Sequence, residues 1–339
     1  MDPTTIFDLA SVTKPFVAVT AACLDLKARP ALTARLEEFL PELTTRLSGA
    51  LTLEQLLSHR AGLEPHRSLF AVLMRRRALD HRAALRQAAS ACRSPLFDAS
   101  TETTTALYSD LGYLLVGEAL ERATGTPLDQ LVTHNVLAPL GLEAGSMRQL
   151  LAQRRDVLAC IAPTEHVVWR GGMLRGIVHD ENAWAIAGHG ICGHAGLFGT
   201  AEAVAKFGHG VLEALAGRKP SFLEATQIAR LTAPRPGGSL RAGFDAKSTS
   251  DSMAGNVAGP RTFGHLGFTG TSLWCDPDGE AVTVLLTNRV CPTRENVAIR
   301  RARPIVHDAL FTAAAACRSS GSWAFPDREL RAVEMLDQS

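Results

Sequence analysis

Ser11, Val12, Thr13 and Lys14 set a serine and a lysine one helical turn apart at the head of an apolar run. A serine hydroxyl is a weak nucleophile until a neighbour removes its proton, and residues three apart on a helix share a face. Ser11 and Lys14 therefore have the makings of a nucleophile and its base. Acyl transfer also needs a second proton-handling group and donors for a developing oxyanion. Tyr108-Ser109-Asp110 stands at an expected helix start, where the phenol can act as relay or general base if nearby cations lower its pKa. His265-Leu266-Gly267-Phe268-Thr269-Gly270 precedes an expected hairpin. There Gly267 would let a substrate lie along the strand edge, with the Phe268 amide aimed at the oxyanion.

These residues must be positioned by the elements around them. Phe16, Val19, Cys23 and Leu24 recur at helical spacing after Pro15, which falls where a first turn tolerates it. Thr52 and Gln55 fit a capping box for a turn over 53–58 that Gly62 stops, and 69–92 has helical character throughout. A further helix is expected from Ser109 or Asp110 to Gly125, with Thr126 and Pro127 opening the next. Residues from about 28 to 170 thus read as an all-helical lobe. From Gly171 glycines multiply and loops are expected, and 234–260 reads as a long surface connection. Strands come last, at Ser272 to Cys275 and Ala281 to Thr287 across an Asp276-Pro277-Asp278-Gly279 turn. A helix over 294–316 and a polar tail over 318–339 close the chain.

Composition limits the functions available. The 339 residues are 46% hydrophobic and 20% charged, enough for a large core and against disorder. With 35 basic and 34 acidic side chains, no global field draws nucleic acid or an anionic membrane, so no nucleic-acid partner is expected. Arg75, Arg76, Arg77, Arg82 and Arg86 read as a solvated helix face. No stretch is long and apolar enough for a membrane span, and Met1 to Thr5 has no leader character. As written, the chain is expected to be cytoplasmic; lost upstream sequence carrying a signal peptide would make it periplasmic. Seven scattered cysteines without a C-x-x-C pair imply reduced thiols.

In order and spacing, the three chemical segments resemble the serine penicillin-recognising enzymes: class C beta-lactamases, penicillin-binding DD-peptidases and their esterase relatives. S-x-x-K, a Y-x-N-like Tyr108-Ser109-Asp110 and an H-x-G-like His265-Leu266-Gly267 carry the likeness. Phe7 to Ala10, Leu56 to Leu63, Gly193 to Phe198 and Leu285 to Arg289 are similar to family sequence too, so the resemblance covers roughly residues 6 to 310. A subgroup with H-D-E-N-A and G-H-A-G-L-F segments, resembling a weak DD-carboxypeptidase type, is nearest. The resemblance implies an α+β fold with an antiparallel sheet flanked by helices, plus the helical lobe, all in one module over 1–311. It implies that Ser11 forms an acyl-enzyme, that Lys14 and Tyr108 share the proton work, and that the amides of Ser11 and Phe268 make the oxyanion hole. Asp110, His265, Gly267 and Phe268 would bind substrate, with no metal or organic cofactor. The substrate is expected to be a small ester or amide, or a peptidoglycan-derived peptide.

Three departures alter those expectations. His265 stands where many relatives have lysine, so its positive charge would be pH-dependent, which weakens the case for carboxylate-bearing penicillins or D-Ala-D-Ala peptides, favours neutral esters or amides, and ranks beta-lactamase activity below esterase-like or DD-peptidase-like activity. Asp110 replaces an asparagine and could pair with Lys14, raising the lysine pKa and shifting the burden to Tyr108. Only ten residues precede Ser11, too few for the two strands the family carries there, so a sheet edge should be left open. Two other functions compete. His179, Asp180, Glu181, His189, Cys192 and His194 have metal-ligand chemistry without metal-ligand spacing, so loop-structuring roles are the alternative to a metal-dependent hydrolase. A catalytically impaired, acyl-trapping module of the same fold is the other. Ser58-His59 is read as structural, because adjacent helical residues diverge by about 100°.

Overall fold

The chain's densest burial surrounds its first chemical segment: from Thr5 to Ala22 every residue is buried except Ser11, which is half-buried. The structure, a computed structural model, describes residues 2–26, 29–91, 97–98, 103–154, 156–218 and 222–320. The helices are α1 (Thr13–Cys23), α2 (Leu53–Leu57), α3 (Ala71–Met74), α4 (His81–Ala89), α5 (Asp110–Thr124), α6 (Leu128–Val132), α7 (Met147–Gln153), α8 (Glu181–Ala187), α9 (Ala201–Leu215), α10 (Ala225–Thr232) and α11 (Ile299–Ser320). The strands are β1 (Phe7–Asp8), β2 (Asp25–Leu26), β3 (Arg29–Pro30), β4 (Phe97–Asp98), β5 (Thr103–Thr104), β6 (Ala144–Ser146), β7 (His166–Val167), β8 (Gly172–Met173), β9 (Leu197–Gly199), β10 (Asp245–Ala246), β11 (Phe263–Leu266), β12 (Ser272–Asp276) and β13 (Ala281–Leu285).

Two sheets frame the nucleophile. A four-stranded antiparallel sheet runs β10-β11-β12-β13, and a three-stranded one runs β1-β9-β6. The Pro-Asp-Gly turn sets the hairpin register, pairing Asp276 with Ala281 and Ser272 with Leu285. Both α9 and α11 pack on that hairpin. In α9, Gly208 allows the approach, since a Cβ there would lie 2.7 Å from Val282 and 2.9 Å from Leu273. The far edge of β13 carries no strand among the described residues, and the segment before Ser11 supplies β1, which joins β9 instead. The fold is thus α+β with helices around antiparallel sheet.

Several expectations needed revision. The 28–170 lobe is mainly helical, but it also holds β6 and the short β4–β5 ladder. The expected helix over 69–92 divides into α3 and α4: Arg76 takes a left-handed φ of 55°, and Asp80 restarts the helix by accepting the Ala83 N–H at 3.0 Å. Its five arginines are exposed, as a solvated face requires, while residues 92–96 lie outside the described segments. Pro127, rather than Thr126, precedes α6, because Glu121 reaches forward to accept the Leu128 N–H at 2.7 Å. The last helix begins five residues later than expected and runs to Ser320; the tail beyond it lies outside the described residues. No described helix is long and apolar enough to cross a membrane.

His307, fully buried on α11, fastens helix to hairpin through Ser272 Oγ and Thr283 Oγ1, each 2.8 Å away. Burial pulls its pKa to about 3, and burial followed by the Lys14 charge does the same to His265. Both folded values lie below the unfolded value near 6.5, so the unfolded chain binds more protons and stability falls as pH drops from about 6.5 towards 3. Each histidine adds a slope approaching about 1.4 kcal/mol per pH unit across that window. Urea midpoints should therefore decline steadily between pH 6.5 and 4.5; a flat profile would contradict the buried, neutral state of both rings.

Candidate active site

The nucleophile candidate is presented by a strained turn. Ala10 adopts φ 46°, unusual for a residue with a side chain, and the buried Asp8 carboxylate holds it there by accepting the Ala10 N–H at 2.8 Å. The other Asp8 oxygen accepts the His179 N–H at 2.7 Å. Ser11 lies in the 3-10 turn Ala10–Val12, just ahead of α1 rather than within it, and Lys14 occupies the first turn of α1. One-turn spacing survives this change. Lys14 is wholly buried, and its ammonium donates to Ser11 Oγ (2.8 Å), Asp110 Oδ1 (2.7 Å) and the His194 carbonyl (3.2 Å), which uses all three of its protons. Tyr108 Oη lies 2.9 Å from the same Ser11 Oγ, and Lys14 Nζ lies 4.8 Å from the Tyr108 ring centre.

Tyr108 and Asp110 reach this point because Ser109 between them caps α5. Its hydroxyl accepts the Gly112 N–H at 3.3 Å and donates to the Glu64 carbonyl at 2.6 Å, turning its two neighbours towards Ser11. Burial opposes the charge on Lys14, but Asp110 and then Tyr108 outweigh it and hold the lysine pKa above its usual value. Burial also pushes the Tyr108 phenol up, and the Lys14 charge does not reverse this. The expected pairing of Asp110 with Lys14 is present. The expectation that cations would lower Tyr108 is corrected: at neutral pH the site rests as ammonium plus phenol.

Opposite Ser11, the loop after β11 is stitched to the residues before the nucleophile. Thr269 Oγ1 donates to the Asp8 carbonyl (2.7 Å) and Thr271 Oγ1 to the Leu9 carbonyl (2.9 Å), while Arg303 on α11 donates to the carbonyls of Gly267 (2.7 Å) and Thr271 (2.9 Å). Gly267 lines the cleft beside Ser11, and its missing side chain also serves the packing behind it. A Cβ there would overlap Thr271 Oγ1 and the Leu9 carbonyl, so the missing side chain lets the loop close against the residues before Ser11. Neither the Ser11 nor the Phe268 amide is bonded to an acceptor among the described residues. The Phe268 side chain is 50% exposed at the cleft mouth, with the Arg289 guanidinium 4.3 Å from its ring centre.

His265 is the clearest correction. It is buried, does not line the cleft, and donates its Nδ1 proton to the adjacent Leu266 carbonyl at 2.8 Å. With its pKa near 3 it stays neutral, so the pH-dependent charge expected to meet a substrate carboxylate is absent. Charge comes from elsewhere. The open cleft of about 480 Å³ is lined by Ser11, Tyr108 and Asp110, and on its far side by Arg289, Arg300 and Arg303. Sequence reasoning missed these arginines, as well as Asp8 and Thr269, because only tertiary contact brings them to Ser11.

The histidine-rich segments form the remaining wall. Asp180 caps α8 through the Ala183 N–H (2.7 Å) and pairs with His194 Nε2 (2.8 Å), whereas His179 faces Glu165 (2.9 Å). Burial works against charge on His194, yet Asp180 outweighs it and holds its pKa well above the usual value. Arg294 joins Glu165 to Glu181 at 2.6 and 2.7 Å. Asp180 and His194 form one pair, and His179, Glu165, Arg294 and Glu181 form a chain; among the described residues no group of three or more could hold a metal. Ser58 and His59 likewise do not face one another: Ser58 Oγ donates to the Gln55 carbonyl, and His59 Nδ1 accepts from Ser109.

An antiparallel sheet with packed helices, a helical lobe, and a Ser-Lys-Tyr cluster at their junction define the beta-lactamase/transpeptidase-like class. The Beta-lactamase family model matches residues 1–307, and the chain belongs to that family. A Salmonella agona (strain SL483) protein named as a D-alanyl-D-alanine carboxypeptidase is 32% identical over 199 residues, covering 54% of this chain and 45% of that one. The chain thus spans under half the length of the curated relatives it matches. Among solved structures, EstCE1, described as a hydrolase with promiscuous acyltransferase activity, aligns with TM-score 0.65 and 22% identity over 92% of this chain and 86% of that one. A penicillin-binding protein homologue from Caulobacter crescentus aligns with TM-score 0.63 and 20% identity, covering 91% and 85%. At such identities the structural likeness establishes the fold alone.

Proposed function

We propose that the chain is a serine hydrolase that forms an acyl-enzyme on Ser11 from esters or D-alanyl-type peptides. The observation that carries this reading is the Ser11 hydroxyl shared between Lys14 at 2.8 Å and Tyr108 at 2.9 Å. Both partners rest protonated, so loss of one proton from the Lys14–Tyr108 pair generates the base. The phenolate, steadied by the Lys14 ammonium, takes the Ser11 proton as Oγ attacks the carbonyl carbon. The amides of Ser11 and Phe268 meet the oxyanion, the leaving group receives the proton, and water repeats the sequence to free the acid.

Substrates with a free carboxylate beside the scissile bond suit this cleft. Each acid lining it already has a counter-ion: Asp110 has Lys14, Asp180 has His194 and Glu181 has Arg294. By contrast, Arg289 and Arg303 donate to backbone carbonyls, and Arg300 has no ion pair among the described residues. Burial lowers Arg303 only to about 10, so it too is charged at neutral pH. These arginines replace the charge that His265 lacks and remove the basis for preferring neutral esters. The D-alanyl-D-alanine carboxypeptidase name of the Salmonella relative agrees with a carboxylate-ended substrate.

The test compares an N-acyl-D-Ala-D-Ala peptide with its C-terminal amide, and a nitrophenyl ester bearing a terminal carboxylate with its neutral methyl ester. The carboxylate forms should have kcat/KM higher by roughly tenfold, the effect of one charge-assisted hydrogen bond, and Arg300→Ala should erase most of the difference. Equal values for the paired substrates would overturn the carboxylate preference. Stoichiometric labelling of Ser11 without turnover would instead support the acyl-trapping module.

A further inference from the structure

His59 lies outside the chemistry described above, yet three of its contacts bracket Tyr108. Its carbonyl accepts the Leu107 N–H at 2.9 Å, its Nδ1 accepts the Ser109 N–H at 3.0 Å, and its ring stacks on Tyr108 with centroids 4.6 Å apart at 28°. One residue therefore grips the chain immediately before and after the tyrosine and covers the face of its ring. The opposite neighbour is fixed as well: the Tyr113 ring lies 5.1 Å from His59, and its hydroxyl donates to the Leu57 carbonyl at 2.7 Å. His59 has φ 59°, a left-handed backbone that side-chain-bearing residues seldom adopt, so the placement is over-determined by its surroundings.

We infer that His59 is the positioning residue that aims the Tyr108 hydroxyl at Ser11. This rests on the reading of Tyr108 as the group that exchanges a proton with Ser11. The grip also dictates the state of the ring. Because the Ser109 amide can only donate, Nδ1 must offer a lone pair, which leaves the single ring proton on Nε2 and the imidazole neutral. Burial and the Lys14 charge hold its pKa well below 6.5, in keeping with that tautomer. A protonated ring could not accept from Ser109, and it would set a second cation against Lys14. The residue thus sets the geometry of Tyr108 while leaving Lys14 as the cation on its ring.

A double-mutant cycle separates this role from simple packing. His59→Phe keeps a ring but leaves the Ser109 N–H without its acceptor; His59→Asn keeps an acceptor and tolerates the left-handed backbone but gives up the stack. Both should lower kcat with little change in KM, His59→Phe by roughly 10- to 100-fold if the hydroxyl shifts by about 1 Å, and both should slow Ser11 labelling by a fluorophosphonate in parallel. In a Tyr108→Phe background the same substitutions should change either rate less than about twofold, since the group they aim is gone. Thermal midpoints taken alongside identify a variant that fails to fold, in which case His59→Asn carries the comparison. Losses of equal size in both backgrounds, or wild-type rates for His59→Phe, would overturn the inference alone. A Tyr108→Phe protein with wild-type turnover would overturn the role given to Tyr108 and the inference with it.

Discussion

Replacing Ser11 with alanine is expected to reduce ester turnover by roughly 10³- to 10⁶-fold, leaving only what the cleft contributes by binding and by its amide donors. Ser11 is the half-buried opening in an otherwise buried stretch, and its hydroxyl is where the donors of Lys14 and Tyr108 converge. Without it neither partner has a substrate-facing atom to serve. The same change strands one proton of a fully buried ammonium, so it should also cost about 1–3 kcal/mol in stability. Kinetics and a urea titration on one preparation check both parts. Turnover within tenfold of wild type would show that another nucleophile does the work.

Changing Asp110 to asparagine should have the opposite sign. Lys14 is fully buried and Asp110 is the carboxylate that pairs with it, so their 2.7 Å contact keeps the lysine protonated. With that charge gone, burial dominates and the lysine pKa falls, as it does for other buried lysines. Each unit of that fall moves the ascending limb of kcat/KM one pH unit lower and raises activity at pH 7 about tenfold. The ion-pair loss is limited because the lysine can release its proton instead of remaining charged without a partner. The new side chain also offers an amide donor, so beta-lactam acylation should gain relative to ester turnover. A pH–rate profile from 6 to 10 tests this; an unmoved limb would mean that ionisation of the Lys14–Tyr108 pair does not govern the reaction.

What the sequence disclosed follows from how local each signal is. The Ser11–Lys14 spacing, the Thr52–Gln55 capping box, the left-handed Gly125 that ends α5 and the Asp-Pro-Asp-Gly hairpin are settled within a few residues, and each forms where expected. Failures came where a partner far along the chain decides the outcome. His265 reads like a charged contact in H-x-G, yet its burial and the distant Lys14 charge make it neutral. The arginines at 300 and 303 look like ordinary polar positions on a helix until α11 packs beside the loop that holds Gly267. Asp8 and His59 lie in segments similar to family sequence, and His59 was read as structural, but neither had a stated role, because the turn at Ala10 and the segment around Tyr108 exist only once the fold has formed. Composition and spacing pointed to the groups proposed to react; the residues that aim them needed tertiary contacts.

The central claim is that acyl transfer passes through a covalent bond to Ser11. Mixing the protein with a beta-lactam or a slowly hydrolysed ester, quenching in acid and mapping the modified peptide by mass spectrometry tests that bond directly. One acyl group per chain is expected on the peptide containing Ser11, and none in Ser11→Ala. Substrate turnover with no adduct at any quench time, or an adduct on another residue, would contradict it.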